Sequence, residues 1–322
     1  MEEITVAMAL YKPDLHWLKE QLRSLAGQTY QNFRLLVWND CPDDSYDYDR
    51  LLAEFFPKTI YAVYQGETNM GSNAVFAKLT SLVMTPYIAY CDQDDVWMPE
   101  KLSVLKRVLE EKQVDLVCSD MYVINGKSRI VADSITKVRP HQLPTADRHP
   151  VAVLLRRNFV TGCTILMRTD LAQKLLPFPD AFYHDHWLAL GAAMREGIYA
   201  VPKPLIKYRI YGQNQTGTLK DVKDKNSYYE GKILKDNHRM KAIEERMASL
   251  APDSQAEQEI RWYRQWTAAR VRYFQHPAPG NFAALYRMRT LGQGITFFEL
   301  LLPFLPPFLF KIIVSCFQKG KI

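Results

Sequence analysis

The sequence predicts an α/β fold: a Rossmann-like, mostly parallel sheet with helices on both faces, followed by a helical, basic C-terminal region. Three observations predict it. Period-two apolar runs alternate with runs at helical spacing through the first 120 residues, which is the signature of strand–helix–strand units. At 322 residues and 48% hydrophobic, the chain can bury one large core with material left over. Residues 221–275 then become charged and helical with no β signal.

The elements follow in order. Ile4, Val6, Met8 and Leu10 alternate as a first strand, and Leu15, Leu18, Leu22 and Leu25 continue at helical spacing until Gly27 ends the pattern. Strand-like runs occupy 33–38, 60–64, 87–91 and 114–119, with helical patterns at 74–84 and 100–112 between them. From about residue 140 the pattern loosens into strand-like 164–167, helix-like 185–195 and strand-like 198–201. The expected organisation is an α/β sheet domain over 1–217, a charged helical region over 218–290 and an apolar, basic tail over 291–322.

Charge is distributed unevenly. Residues 1–220 carry 25 Lys+Arg against 25 Asp+Glu, whereas 221–322 carry 16 against 10, so the net charge of +6 belongs to the last third. A basic appendage of this kind suits an anionic membrane surface. Nucleic acid is not expected as a partner, because no nucleic-acid motif is present and no basic patch is interleaved with aromatics in the sheet region. The tail has an uncharged run from Leu300 to Phe310 broken by Pro303, Pro306 and Pro307. That is short of the roughly 20 residues a spanning helix needs. Flanked by Arg287, Arg289, Lys311, Lys319 and Lys321, the segment reads as interfacial, with a helix packed on the protein's own core or on a partner as the alternative. Five scattered cysteines without CxxC spacing, and an N-terminus with no basic-then-apolar leader, point to the cytoplasm.

Sheets of this type bind ligands beyond the carboxyl ends of their strands. Polar clusters occupy that place here: Tyr11 to Asp14, Asn39 to Asp44, and "DQDD" at 92–95. Three carboxylates so close raise one another's pKa unless a cation is bound, and hard oxygen ligands suit Mn²⁺ or Mg²⁺ bridging a diphosphate. Helix capping near Pro99 is the competing explanation of the same residues.

The ordered pieces "ALYKPD", "VWNDCPDD", "NMGSNAVF", "DQDDVWMPEKL", "TGCTILM", "HDHWLAL" and "YRIYGQNQTG", spread over about residues 4–217, resemble the family-two glycosyltransferases of GT-A fold, most closely a rhamnosyltransferase-like branch. The resemblance implies that Tyr11 and Asp40 hold the nucleobase, that Asn69 and Gly71 line the donor pocket, that Asp92 meets the ribose and that Asp94 coordinates the metal. It makes residues 1–217 a catalytic domain, with a donor-binding half at about 1–120 and an acceptor half at about 121–217. It makes Asp185 the general base, with Gly162 and Trp187 on the acceptor side; a partly dry site beside Trp187 would move the pKa of such a base toward neutrality. Turn chemistry alone also accounts for Asp40 and Asn69, and helix capping for Asp185. Arg209 offers a cation for the leaving diphosphate. His184 and His186 are expected to orient or to lie at the surface rather than to bind metal.

Three departures stand out from the family pattern. Tyr211 replaces a common histidine, Asn39 replaces a first aspartate, and Cys41-Pro42 stand where Gly-Ser is usual. "QEIRW" at 258–262 matches a processive-synthase pattern but lies outside the sheet region. The implied activity is inverting, metal-dependent transfer of one sugar, rhamnose from TDP-rhamnose ahead of glucose or galactose from UDP. The acceptor is a hydroxyl of an undecaprenyl-linked bacterial glycan at the inner face of the cell membrane. The rival readings are a nucleotidyltransferase, disfavoured because "ALYKPDL" has no glycine-rich phosphate loop, and a non-catalytic sugar-binding scaffold module.

Overall fold

A computed structural model describes residues 3–211, 222–247, 250, 254–292 and 294–318. The chain divides into two compact units, Met1–Gly212 and Gln213–Ile322.

The first unit is built on a nine-stranded mixed sheet. Its elements are β1 (Ile4–Leu10), α1 (Leu15–Ala26), β2 (Phe33–Asn39), α2 (Tyr48–Ala53), β3 (Tyr61–Gln65), α3 (Ser72–Ser81), β4 (Tyr87–Cys91), β5 (Val96–Trp97), α4 (Lys101–Lys112), β6 (Leu116–Ile124), β7 (Ile130–Ala132), α5 (Val151–Arg156), β8 (Leu166–Arg168), α6 (Thr169–Lys174), α7 (His184–Ala193) and β9 (Ile198–Arg209). The strand order is β3-β2-β1-β4-β8-β6-β9-β5, with β7 pairing β6. β3, β2, β1 and β4 are parallel, β8 runs antiparallel to both neighbours, and β6 and β9 are parallel.

Local chemistry sets the ends of these elements. Asp14 caps α1 by accepting from the backbone N–H groups of His16 and Trp17, and Gly27 closes the helix by donating to Arg23 O. The period-two set Ile4, Val6, Met8 and Leu10 then lies against Leu18, Leu22 and Leu25 of α1 and Leu102, Leu105 and Leu109 of α4 in one core. Tyr90, on the opposite face of β4, stacks edge-on with Phe76 of α3 and shares a hydrogen bond with Thr80. Helices therefore cover both faces. Each fully buried Leu, Ile or Phe contributes about 1.5–3 kcal/mol by leaving water, so Leu105→Ala would cost about 2–5 kcal/mol.

Register places the future site. Leu10 pairs Asn39, and Met8 pairs both Val37 and Cys91, so β1, β2 and β4 end side by side. Tyr11, Asp40 and Asp92 leave the sheet at one edge.

The second unit contains α8 (Lys225–Tyr228), a π-helical turn at Tyr229–Leu234, α9 (Lys235–Met247), α10 (Ser254–Gln275), α11 (Pro279–Arg287), α12 (Arg289–Gly292), α13 (Gly294–Leu301) and α14 (Pro307–Gln318). Its interior is partly polar: buried Arg270 donates to both oxygens of Glu299 at 2.7 and 2.6 Å and to Asp236 at 2.8 Å. The Tyr228 hydroxyl also donates to Glu299, and Trp266 Nε1 to Thr296. Leu302, Phe310 and Val314 of the tail are buried with Tyr228 and Ile233. No helix among the described residues is long and apolar enough to cross a membrane. "QEIRW" lies within α10, with Arg261 and Trp262 exposed.

Candidate active site

The loop after β1 is tied to the acidic segment after β4. Gln93 accepts from the Tyr11 backbone N–H at 2.8 Å and donates to its carbonyl at 3.1 Å, leaving the Tyr11 ring exposed at the rim. Asp40 works inward. Its two carboxylate oxygens accept from the N–H groups of Met70 and Gly71 at 2.9 and 2.8 Å, so it holds the loop carrying Asn69 against the end of β2. Gly71 has φ +79°, a conformation that favours glycine, and stands at the N-terminus of α3. Asn39 is buried, bonded to Gln65 and to the Cys41 N–H. It shapes the turn from beneath.

The "DQDD" carboxylates do not cap α4, because Glu100 holds the cap position and makes no side-chain cap bond. They point to different partners. Asp94 accepts a hydrogen bond from the Tyr211 hydroxyl at 2.7 Å, and Tyr211 packs on Trp17. Asp95 is buried, with Oδ1 accepting from the Arg209 N–H at 2.9 Å and Oδ2 without a partner. Burial is the largest cause raising the pKa of Asp92, followed by the charges of Asp94 and Asp185, and together they carry it to about 7. The charge of Asp185 repels that of Asp92, so the carboxylates of the two halves of the site lie within electrostatic reach of each other.

Beneath this cluster lies Lys101, fully buried, its ammonium 3.2 Å from the centre of the Trp97 ring and bonded to the Cys163 carbonyl. Burial pushes it down to about 8. The ligand-capable atoms of Asp92, Asp95 and Cys163 lie within 4.8 Å of one another. A hard cation fits the oxygen donors, since burial and the neighbouring carboxylates push the Asp95 carboxyl well above its usual range and a bound cation would relieve that cost, whereas a thiol is a poor partner for Mn²⁺ or Mg²⁺.

Asp185 sits in the first turn of α7, where Tyr183 holds the cap position without a side-chain bond. Its Oδ1 accepts from Asn158 Nδ2 at 3.0 Å and from the His186 N–H at 2.6 Å, and its Oδ2 from the Gly162 N–H at 3.2 Å. Burial pushes its carboxyl up to about 6 against those three bonds. Gly162 is required for space: a Cβ there would lie 2.5 Å from His184 Nε2. Burial drives His184 down to about 3, so its imidazole is neutral among Phe76, Tyr90 and Phe178. His186 Nε2 meets the Leu154 carbonyl at 2.6 Å.

Two sequence expectations are corrected. Arg209 is not a cation open to the diphosphate. Its side chain is fully buried, lies over Trp17, and donates to Asp94 O, Asn125 O, Ser128 Oγ and Glu20 Oε2. It clamps the backbone of the acidic segment. Trp187 does not face an acceptor either: it is wholly buried, with its indole N–H donated to Leu175 O at 2.9 Å. Its ring packs against Phe182 at 5.2 Å, inside the core. The "GQNQTG" part of the last motif, residues 212–217, lies outside the described residues. Asn158 and Lys101 escaped sequence reasoning. Only the buried Lys101, opening α4 directly after an acidic cluster, carried a signal that could have been read.

A Rossmann-like mixed sheet with carboxylates grouped at the carboxyl ends of its parallel strands, and a further carboxylate from a later helix, is the arrangement of the GT-A glycosyltransferase fold. The model of the family "Glycosyl transferase family 2" matches residues 5–176, and the chain belongs to that family. It is similar to an uncharacterised glycosyltransferase of Methanocaldococcus jannaschii, 23% identical over 70% of this chain and 76% of the relative. It is also similar to the UDP-Glc:alpha-D-GlcNAc-diphosphoundecaprenol beta-1,3-glucosyltransferase WfgD of Escherichia coli, 26% identical over 64% of this chain and 77% of WfgD. Among solved structures, S. aureus TarS 1-349 in complex with UDP-GlcNAc shares the fold with a TM-score of 0.59 at 17% identity, covering 93% of this chain and 84% of that one.

Proposed function

We propose that this glycosyltransferase moves one hexose, with inversion, from a nucleotide diphosphate sugar to a hydroxyl of a lipid-linked bacterial surface glycan. The observation that carries this reading is Asp185, partly buried, with a raised pKa and three donors fixing its carboxylate, lying within electrostatic reach of Asp92. In the proposed reaction Asp185 takes the proton of the acceptor hydroxyl. The hydroxyl oxygen bonds to the anomeric carbon as the opposite anomeric C–O bond breaks, and the nucleoside diphosphate leaves with the electron pair. A pKa near 6 suits a group that must be ionised at neutral pH yet basic enough to accept a proton.

Tyr11, Asn69 and the loop pinned by Asp40 would hold the nucleoside, with Asp92 at the ribose. Asp94, with Asp92 beside it, would hold Mn²⁺ or Mg²⁺, which when bound supplies positive charge to the departing diphosphate. Arg209 serves by fixing Asp94 and Asp95. The catalytic domain is proposed to run to about residue 217, with a partner membrane surface met by the basic C-terminal region on the cytoplasmic side.

Two donors remain in competition. The branch resemblance favours TDP-rhamnose, whereas the name of WfgD favours UDP-glucose and an undecaprenyl diphosphate acceptor. Titration calorimetry with TDP-rhamnose, UDP-glucose, UDP-galactose and GDP-mannose, each with Mn²⁺ and with chelator, decides between them. One donor should bind, with metal only, and Asp185→Asn should bind it equally while turnover is lost. Absence of binding by all four would favour a scaffold module, and retained turnover in Asp185→Asn would remove Asp185 as base.

A further inference from the structure

The C-terminal tail is not an appendage. Glu299 is the only carboxylate between residues 277 and 318, and it is buried against Arg270, Tyr228 and, through Arg270, Asp236. Leu300, Leu302, Phe310 and Val314 fill the core of the second unit beside it. Phe298 and Leu305 pack against that core, while other large apolar residues of α13, α14 and the bend between them are exposed: Phe304 is 72% exposed, Phe308 63% and Leu301 61%, with Phe297 and Ile312 also exposed. Phe308 and Ile312 are four residues apart on α14 and so share one side of that helix. The proline-interrupted turn Leu302–Phe304 places the most exposed ring at the bend.

The charges around this apolar surface carry one sign. Arg287 and Lys311 are exposed, and Arg289 packs its guanidinium 4.4 Å over the ring of Tyr286, itself exposed and next to Phe297. The carboxylate outside the segment that Lys311 influences, Asp224, is engaged with Ser227 at the start of α8 and stands between Lys223 and Lys225. A second copy of this surface would bring like charges together with no exposed carboxylate of the segment to pair them. An anionic bilayer would take the aromatic and aliphatic side chains below its headgroups and the basic ones among them.

We propose that the outer face of α13 and α14, centred on Phe304 and Phe308 and rimmed by Arg287 and Lys311, is a built membrane-contact surface for anionic lipid. It deepens the reading of a lipid-linked acceptor and rests on it only for its purpose, since binding to lipid does not require catalysis. Because the inner face of the same helices closes the core, removing residues 291–322 would strand Arg270 and unfold the unit. Outward-facing substitutions are the proper perturbation.

The test is flotation of the full chain with phosphatidylcholine vesicles, with and without phosphatidylglycerol. The wild type should float with the anionic vesicles and less so in high salt. Phe304→Ser combined with Phe308→Ser should weaken binding at least about tenfold, given what two exposed rings gain on burial. Arg287→Glu combined with Lys311→Glu should abolish the preference for phosphatidylglycerol, each lost cation alone weakening binding about fivefold. Unchanged circular dichroism and melting temperature would certify that both variants are folded. Binding equal to wild type in both variants, or no flotation of the wild type, overturns the proposal. So does a dimer of the wild type that Phe304→Ser with Phe308→Ser converts to monomer without any vesicle binding. Donor calorimetry on the same samples keeps the outcomes separate: loss of donor binding in the wild type counts against the glycosyl-transfer reading and leaves the lipid result standing.

Discussion

Removing one amide should move the acid limb of the pH profile. Asn158 donates from Nδ2 to Asp185 Oδ1 at 3.0 Å, and its own Oδ1 accepts from the Val160 N–H at 3.0 Å, so the amide cannot flip without losing both bonds. The bond to Asp185 favours the ionised carboxylate and holds down a pKa that burial raises to about 6. A hydrogen bond to a charged group contributes about 1.5–3 kcal/mol, and one pKa unit corresponds to about 1.4 kcal/mol. Asn158→Ala should therefore raise the pKa of Asp185 by about one to two units, with the two backbone donors and partial solvent access favouring the lower end. A general base acts ionised, so kcat/KM of the wild type should fall below about pH 6. In Asn158→Ala the fall should begin about one unit higher, with activity recovering at alkaline pH. The assay is kcat/KM against pH for nucleoside diphosphate release, with melting temperatures confirming the fold. An acid limb that does not move, in a folded variant with reduced activity at every pH, would refute the reasoning.

Other consequences are measurable on the same protein. In chelator, Asp92 with its pKa raised to about 7 binds a proton in the folded state that the unfolded chain releases near 3.8, so stability should rise as pH falls from about 7 toward 4. Asp92→Asn should reduce that slope, leaving the part that Asp185 and Asp95 contribute, and parallel melting curves for the two proteins would count against it. Asp94→Ala should abolish the metal dependence of donor binding in calorimetry, and equal affinity with and without chelator in both proteins would end the metal assignment. Glu299→Gln leaves Arg270 buried with half its charge partners and should cost about 3–5 kcal/mol in the second unit, read as an earlier denaturant midpoint. A midpoint unchanged from wild type would show that Asp236 alone suffices for Arg270.

The alternation of apolar runs determined most of the sheet domain. The β1 set at Ile4, Val6, Met8 and Leu10 enters one core because side chains alternate across a strand, and the α1 leucines meet it because they recur near 3.6 residues. Carboxylates directly behind a parallel strand lie at the ligand edge by topology, so Asp40, Asp92 and Asp94 could be singled out from the chain alone. Short elements were less legible. The two-residue β5 is made by pairing with β9 from more than 100 residues away, and β8 runs antiparallel, a direction no local pattern encodes.

The partners of each side chain were decided only by tertiary structure. Arg209 and Trp187 carry the composition of site residues, yet long-range acceptors at Glu20, Asn125 and Leu175 draw their polar groups inward. Asn158 became a candidate because a loop brings it beside Asp185, and Tyr211 because its hydroxyl reaches Asp94 from 117 positions away. The tail is the plainest case: its composition announces apolar contact, but which residues close the core and which stay exposed depends on how the helices pack around a buried arginine paired with Glu299. Sequence periodicity records which residues leave water, since that depends on each side chain and its backbone geometry. Which of them meet depends on how distant segments pack, and that is a property of the folded chain.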